Sequence, residues 1–165
     1  MYSLFTLIKS DFKRNYMLKS KFILFFFRFA NALYEKNIVI KIVSIPVFVF
    51  YKIITEFLLG LELPLGTKVG KGLALYHAFG LVVNPGSVIG DYCTLRQGVT
   101  IGNKLKKDGT ESRCPRIGDY VEIGANAIII GDITIGNNAK IGAGTVVTKD
   151  IPEGKVAVSS NLRIL

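Results

Sequence analysis

From Val69 almost to its end, the chain repeats an aliphatic residue every six positions. Val69, Leu75, Val83, Ile89, Leu95 and Ile101 form one run, and Ile117, Ile123, Ile129, Ile135, Ile141 and Val147 form a second. Glycine follows directly at Gly70, Gly90, Gly102, Gly118, Gly124, Gly136 and Gly142. A small or branched residue sits four places on, at Ser87, Cys93, Val99, Val121, Ala127, Ala139 and Thr145. Hexapeptide periodicity is the mark of a parallel β-helix. Each short strand sends one aliphatic side chain into a narrow core, and glycine is expected to free the tight turn that follows. Three hexads make one triangular coil, so the pattern predicts about four coils. An ordinary α/β or all-β domain rich in Ile-Gly would not hold this phase with only two interruptions.

Residues 1–60 follow another pattern. They are helical in character, hold most of the phenylalanine, and carry nine Lys/Arg against three Asp/Glu. Lys19–Asn37 reads as one helix and Ile38–Gly60 as another. Pro46 falls about two turns into the second, where it kinks or restarts the helix. Neither is a clean transmembrane span: Arg28 breaks the first, and Lys41, Lys52 and Glu56 interrupt the second. Three placements stay open: packed on the β-helix or a neighbouring subunit, lying in a membrane interface, or crossing it. No basic n-region, apolar h-region and cleavage site occur in order, so no signal peptide is expected. The predicted organisation is a helical region over 1–60 and a β-helix over 61–165, with an extruded loop over 103–115.

That loop is one of two breaks in the repeat. Two residues are added between Leu75 and Val83, at the turn Tyr76-His77-Ala78-Phe79-Gly80. Ten are added between Ile101 and Ile117, where Asn103–Pro115 holds Lys104, Lys106, Lys107, Asp108, Gly109 and Arg113. A solenoid that excludes so polar a loop usually uses it, although surface insertions are also simply tolerated. His77 is the chain's single histidine and stands at the first break. Histidine as a residue type suits a general base near neutral pH, and a carboxylate would fix the tautomer of its ring. The nearest upstream acid is Glu62, about one coil earlier, so the two are expected side by side on one edge. A buried structural histidine and a surface carboxylate are the plain alternatives. One histidine cannot supply the three ligands of a zinc-dependent β-helix enzyme, so the expected chemistry is metal-free proton abstraction.

Composition narrows the picture. At 165 residues, one domain with a short appendage is the default. Cys93 and Cys114 lack metal-type spacing and read as reduced, in a cytoplasmic protein, with Cys93 on an inward position. The net charge of +9 fits an anionic ligand, a phosphate-rich cofactor or a membrane surface. No nucleic-acid module accompanies it.

Gly72–Gly102 and Pro115–Pro152 together resemble the hexapeptide-repeat acetyltransferases of the serine acetyltransferase type. The resemblance covers about residues 62–165. A nearer likeness is to the bacterial polysaccharide (colanic acid biosynthesis) branch, through Tyr51-Lys52-Ile53-Ile54-Thr55-Glu56 and Gln97–Asn103. It implies a left-handed β-helix, a homotrimer with active sites between adjacent subunits, and acetyl-CoA as donor. His77 matches the catalytic histidine, and Glu62 falls where the family's supporting aspartate sits. Gly102, Asn103, Ala125 and Ala143 match cofactor-lining positions, and Lys149 matches a basic position at the far end of the groove. Lys104, Lys106 and Lys107 could meet CoA phosphates.

The departures bear on the acceptor. Tyr76 replaces the acid that precedes the catalytic histidine of serine acetyltransferases, and Arg113-Cys114 replaces their Arg-His pair. An ammonium would lose its partner, which argues against free serine. Only about sixty residues precede the repeat, in place of a large helical domain, and no long C-terminal tail follows. Val158-Ser159-Ser160-Asn161 replaces the usual closing Gly-x-Pro-Ala. The expectation is an acetyl-CoA-dependent O-acetyltransferase acting on a saccharide hydroxyl in capsule or exopolysaccharide synthesis. It would be cytoplasmic, with a possible contact at the inner membrane face. His77 and Glu62 would be catalytic, with Tyr76, Arg113 and Cys114 at the acceptor. The alternatives are a serine O-acetyltransferase of cysteine biosynthesis and a non-catalytic β-helix scaffold.

Overall fold

Every aliphatic position of the repeat falls on a strand of two or three residues, and the strands wind as coils. The computed structural model of the chain describes residues 2–159. The first coil runs β1 (Lys68–Val69), β2 (Ala74–Tyr76) and β3 (Val82–Val83). The second runs β4 (Val88–Ile89), β5 (Thr94–Arg96) and β6 (Thr100–Gly102), and the third β7 (Arg116–Ile117), β8 (Glu122–Ile123) and β9 (Ile128–Ile130). The fourth runs β10 (Thr134–Ile135), β11 (Lys140–Ile141) and β12 (Val146–Val147), and β13 (Val156–Ala157) starts another turn. Three parallel sheets result: β1-β4-β7-β10, β2-β5-β8-β11-β13 and β3-β6-β9-β12. The architecture is a left-handed parallel β-helix with N-terminal helices.

The core is the stack of inward residues. From β2 to β12 the aliphatic of each strand is buried, as at Ile89, Ile101, Ile129 and Ile135, and so are the residues four places on at Cys93, Val99, Val121 and Ala139. The structure reassigns the following glycine. Gly70, Gly90, Gly118, Gly124 and Gly136 are not left-handed; what they lack room for is a side chain. A Cβ on Gly124 would lie 2.5 Å from the backbone nitrogen of Ala143 in the next coil. The left-handed residue comes two places later, at Gly72, Tyr92, Tyr120, Asn126, Asn138 and Gly144. The repeat also starts one hexad earlier than Val69. Leu63 is buried, and the backbone of Glu62 bridges to Val82 beneath β3.

Four helices precede the coils: α1 (Leu4–Arg14), α2 (Leu18–Tyr34), α3 (Ile38–Val43) and α4 (Ile45–Lys52), followed by a π-helical turn over Ile53–Leu58. Pro46 lies in the first turn of α4, where its missing N–H costs nothing, so it restarts the helix. Helix α1 was not foreseen in the periodicity. With α2 it closes the lower end of the β-helix, where the first coil would otherwise leave its backbone unpaired. Asp11 accepts from the Leu73 N–H at 2.9 Å, and Asn15 bonds both the Leu73 carbonyl and the Leu75 N–H, each at 2.8 Å. Arg28, wholly buried, donates to Asp11 at 2.8 Å and to the Val69 carbonyl at 2.7 Å. Of the three placements left open, α1 and α2 take the first. No described helix is long and apolar enough to cross a membrane.

Candidate active site

His77 stands where the two added residues swell the corner between β2 and β3. Tyr76 still pairs with Arg96 in the ladder, but His77 and Ala78 both take positive φ, 64° and 38°. That conformation is strained for residues with a Cβ, and non-glycine strain of this kind concentrates at functional sites. It leaves His77 exposed, and its ring makes no side-chain hydrogen bond among the described residues.

The backbone of Glu62 pairs with Val82, on the far side of the bulge that carries His77. The first coil is two residues longer than a regular one, and the Glu62 backbone pairs beyond the bulge: its N–H donates to Leu81 at 2.7 Å and its carbonyl accepts from Val83 at 2.9 Å. No hydrogen bond joins the carboxylate to the imidazole. Glu62 instead lines a cavity of about 520 Å³ shared with Tyr51, Lys52 and Glu56.

Two of the cofactor candidates do share a corner with His77. The ladder bonds that run from Gly98 to Phe79, from Asn126 to Gln97 and from Gly144 to Ala125 stack Phe79, Gln97, Ala125 and Ala143 in one column at this corner, with His77 and Ala78 bulged out of the ladder beside its foot. Gln97 went unnamed in the sequence reading. Its side-chain carbonyl is buried with no partner among the described residues, one rung above Phe79 at the same corner. The in-phase Leu95-Arg96-Gln97 triplet was the available signal.

Gly102, Asn103 and Lys149 lie at the next corner, between the third sheet and the first, where the extruded loop leaves the coil. The loop is a hairpin: Leu105 bridges Glu111, and Lys106 takes a bond from Gly109 and gives one to Thr110. Two hydrogen bonds from Thr110 hold the Asp108 carboxyl below its usual range at the hairpin tip. At the loop's base, Asn103, Arg113 and Cys114 line a hollow of about 330 Å³. Asn84 organises it, donating to Asn103 at 3.1 Å and accepting from the Cys114 thiol at 3.1 Å, while Asn103 donates to Glu111 at 2.8 Å. Cys93 is a core thiol, pushed up to about 11 by burial, and both cysteines are free.

The candidates thus form two groups at two corners. Both corners flank the third sheet, whose outward column reads Val82, Thr100, Ile128 and Val146. Of the closing segment, Val158 and Ser159 follow β13, and Ser160-Asn161 lie outside the described residues.

This fold and these corners define a hexapeptide-repeat transferase. The family description "Bacterial transferase hexapeptide (six repeats)" matches residues 114–149. The chain is 39% identical over 136 residues to WcaB of Escherichia coli (strain K12), by name a colanic acid biosynthesis acetyltransferase, covering 82% of each chain. It is 38% identical over 112 residues to a serine acetyltransferase of Helicobacter pylori, covering 68% of this chain and 64% of that one. Among solved structures, the soybean serine acetyltransferase apoenzyme superposes with a TM-score of 0.76 at 28% identity, over 98% of this chain and 67% of that one. A serine acetyltransferase in complex with CoA gives 0.71 at 30% identity, over 91% and 58%. The chain spans about three fifths of the length of the Entamoeba histolytica serine acetyltransferase isoform 3 that it also matches, 59%. The chain belongs to the hexapeptide-repeat acetyltransferase family and is an acyltransferase.

Proposed function

We propose that the protein transfers an acetyl group from acetyl-CoA to a hydroxyl of a saccharide. The observation that carries this is the corner itself: an exposed, strained His77 bulged out of the same corner that carries two small residues, Ala125 and Ala143, along which a pantetheine arm can lie. His77 takes the proton of the acceptor hydroxyl. The alkoxide attacks the thioester carbonyl, the C–S bond breaks, and the departing thiolate collects the proton from the imidazolium. Glu62 is the carboxylate that would orient the ring, reaching back from beside Val82. Lys149 supplies positive charge toward the CoA phosphates.

A saccharide is favoured over serine by charge. The Arg96 guanidinium lies 5.1 Å from the centroid of Tyr76, so a cation sits where a serine ammonium would need an acid. Arg113 and Cys114 would meet the acceptor from the neighbouring subunit of a homotrimer. The apolar column Val82, Ile128 and Val146 supports assembly through the third sheet, which would bring one corner group of each copy to the other group of the next.

CoA release with sugar acceptors and with L-serine tests the reading. His77→Ala should lower turnover by about 10²–10⁴ with acetyl-CoA binding retained. A folded His77→Ala protein as active as wild type would overturn it, and ordinary turnover of serine would move the assignment to a serine acetyltransferase.

The same reading extends to the membrane surface. Helices α3 and α4 and the π-helical turn expose Ile38, Val43, Ile45, Ile53, Phe57 and Leu58, with Phe57 79% accessible. Their occupant is an anionic lipid surface, because residues 1–60 carry nine cations against three anions, and a second copy would set two basic faces together. Vesicles containing phosphatidylglycerol should carry the protein upward in a density gradient, less so at high salt. Absence of flotation at low salt would remove the membrane from the proposal.

A further inference from the structure

The outer face of the second sheet carries a hollow of about 520 Å³ that opens beside Tyr76. Its floor follows from the register. Thr94, Glu122 and Lys140 form one outward column, and Tyr76 and Arg96 begin the next. Above Arg96 the second column continues as Gly124 and Gly142, so no side chain fills the trough there. The far wall is aromatic. Tyr92 and Tyr120, two of the left-handed corner residues, stack ring on ring at 5.1 Å and 14°. Tyr120 is 54% exposed, pointing away from the core and contributing nothing to it.

The charges of the hollow are unequal in their commitments. Lys140 pairs with Glu122 at 3.0 Å. Arg14, reaching in from α1, is held by the carbonyls of Gly72 and Cys93 and by the Thr94 hydroxyl. Arg96 has no ion pair and no side-chain hydrogen bond among the described residues. It is exposed, with its guanidinium carbon over the Tyr76 ring at 5.1 Å from the centroid, and its N–H groups are free to take an anion. A flat aromatic wall suits the C–H face of a sugar ring, and a free guanidinium edge suits a carboxylate or a phosphate, which it can hold through two parallel bonds.

We infer that this hollow is the acceptor site and that the acceptor is an acidic saccharide, a sugar bearing a carboxylate or a phosphate. Arg96 holds the acidic group, Tyr92 and Tyr120 hold the ring, and Tyr76 hands the hydroxyl to the adjoining His77. The inference rests on the saccharide acetylation proposed above and adds the charge of the substrate and the residue that reads it.

Glucuronic acid, glucose 1-phosphate and glucose serve as probes. Their binding to the full chain is followed by ligand-observed NMR, and acetyl-CoA-dependent CoA release is followed with the same three sugars. At least one acidic sugar should bind about tenfold or more tightly than glucose, and which one does so separates carboxylate from phosphate. Arg96→Leu should bring it level with glucose, and Arg96→Lys, which keeps the charge without the fork, should fall between. Tyr120→Ala should weaken all three, and all variants should keep CoA binding. Glucose binding as well as both acids, no binding of any sugar, or an acid preference that survives Arg96→Leu would overturn the inference. An acid preference lost in Arg96→Leu, with no CoA release even from wild type, would leave the hollow as an acidic-sugar site and sink the acetylation reading alone.

Discussion

At Gly124 the coils come so close that one methyl group has nowhere to go. An added Cβ would meet the Ala143 nitrogen at 2.5 Å, and a backbone neighbour cannot swing aside as a side chain can. Gly124→Ala should therefore cost about 1–3 kcal/mol, read as a lower midpoint in urea unfolding with an unchanged slope. Gly144→Ala makes a useful contrast: nothing lies within 4 Å of its Cβ, and its cost is the left-handed φ of +67°. The sequence shows where glycines recur but not which of these two demands each one meets. Period marks a place along the coil, while close approach and backbone sign belong to three dimensions, and Tyr92 and Asn126 accept the left-handed position without being glycine. At Glu62, counting coils gives the edge it shares with His77, and only the ladder gives its backbone partner, Val82, past the two extra residues of the first coil.

The first two helices act as a plug of polar side chains on an open strand edge. Asp11 and Arg28 are fully buried and satisfy each other and the backbone of residues 69–73 together. Removing one partner leaves a charge in the interior, so Asp11→Ala should cost about 3–5 kcal/mol, with α1 and α2 becoming open to limited proteolysis before the coils unfold. Equal protease resistance in the variant would show that the pair is dispensable. Hydrophobic patterning missed α1 because the residues it spends on the β-helix are Ser10, Asp11, Arg14 and Asn15, which read as a solvated face. Helix α2, rich in phenylalanine, was legible, and so was the effect of Pro46. The twelve strands of the four coils were legible one by one, since each carries its aliphatic mark. The rung at Leu63 also carries it but sits between polar and proline neighbours that hid the phase.

Across the whole molecule, the candidate residues divide between the two edges of the third sheet. His77, Ala125 and Ala143 occupy one corner, and Asn103, Arg113 and Lys149 the other. A single copy holds both halves and cannot close them on each other, because the width of a sheet lies between. That division has a genetic reading. His77→Ala and Arg113→Ala would each be inactive alone, yet each would keep the half the other has lost. Refolded together in equal amounts, they should regain about a quarter of the wild-type sites, since random assembly pairs an intact histidine edge with an intact arginine edge that often. Activity measured on the mixture against each variant alone decides it, and a mixture as dead as its parts would confine the whole site to one chain. In a cell expressing both alleles, two damaged copies of the gene would then make one working enzyme.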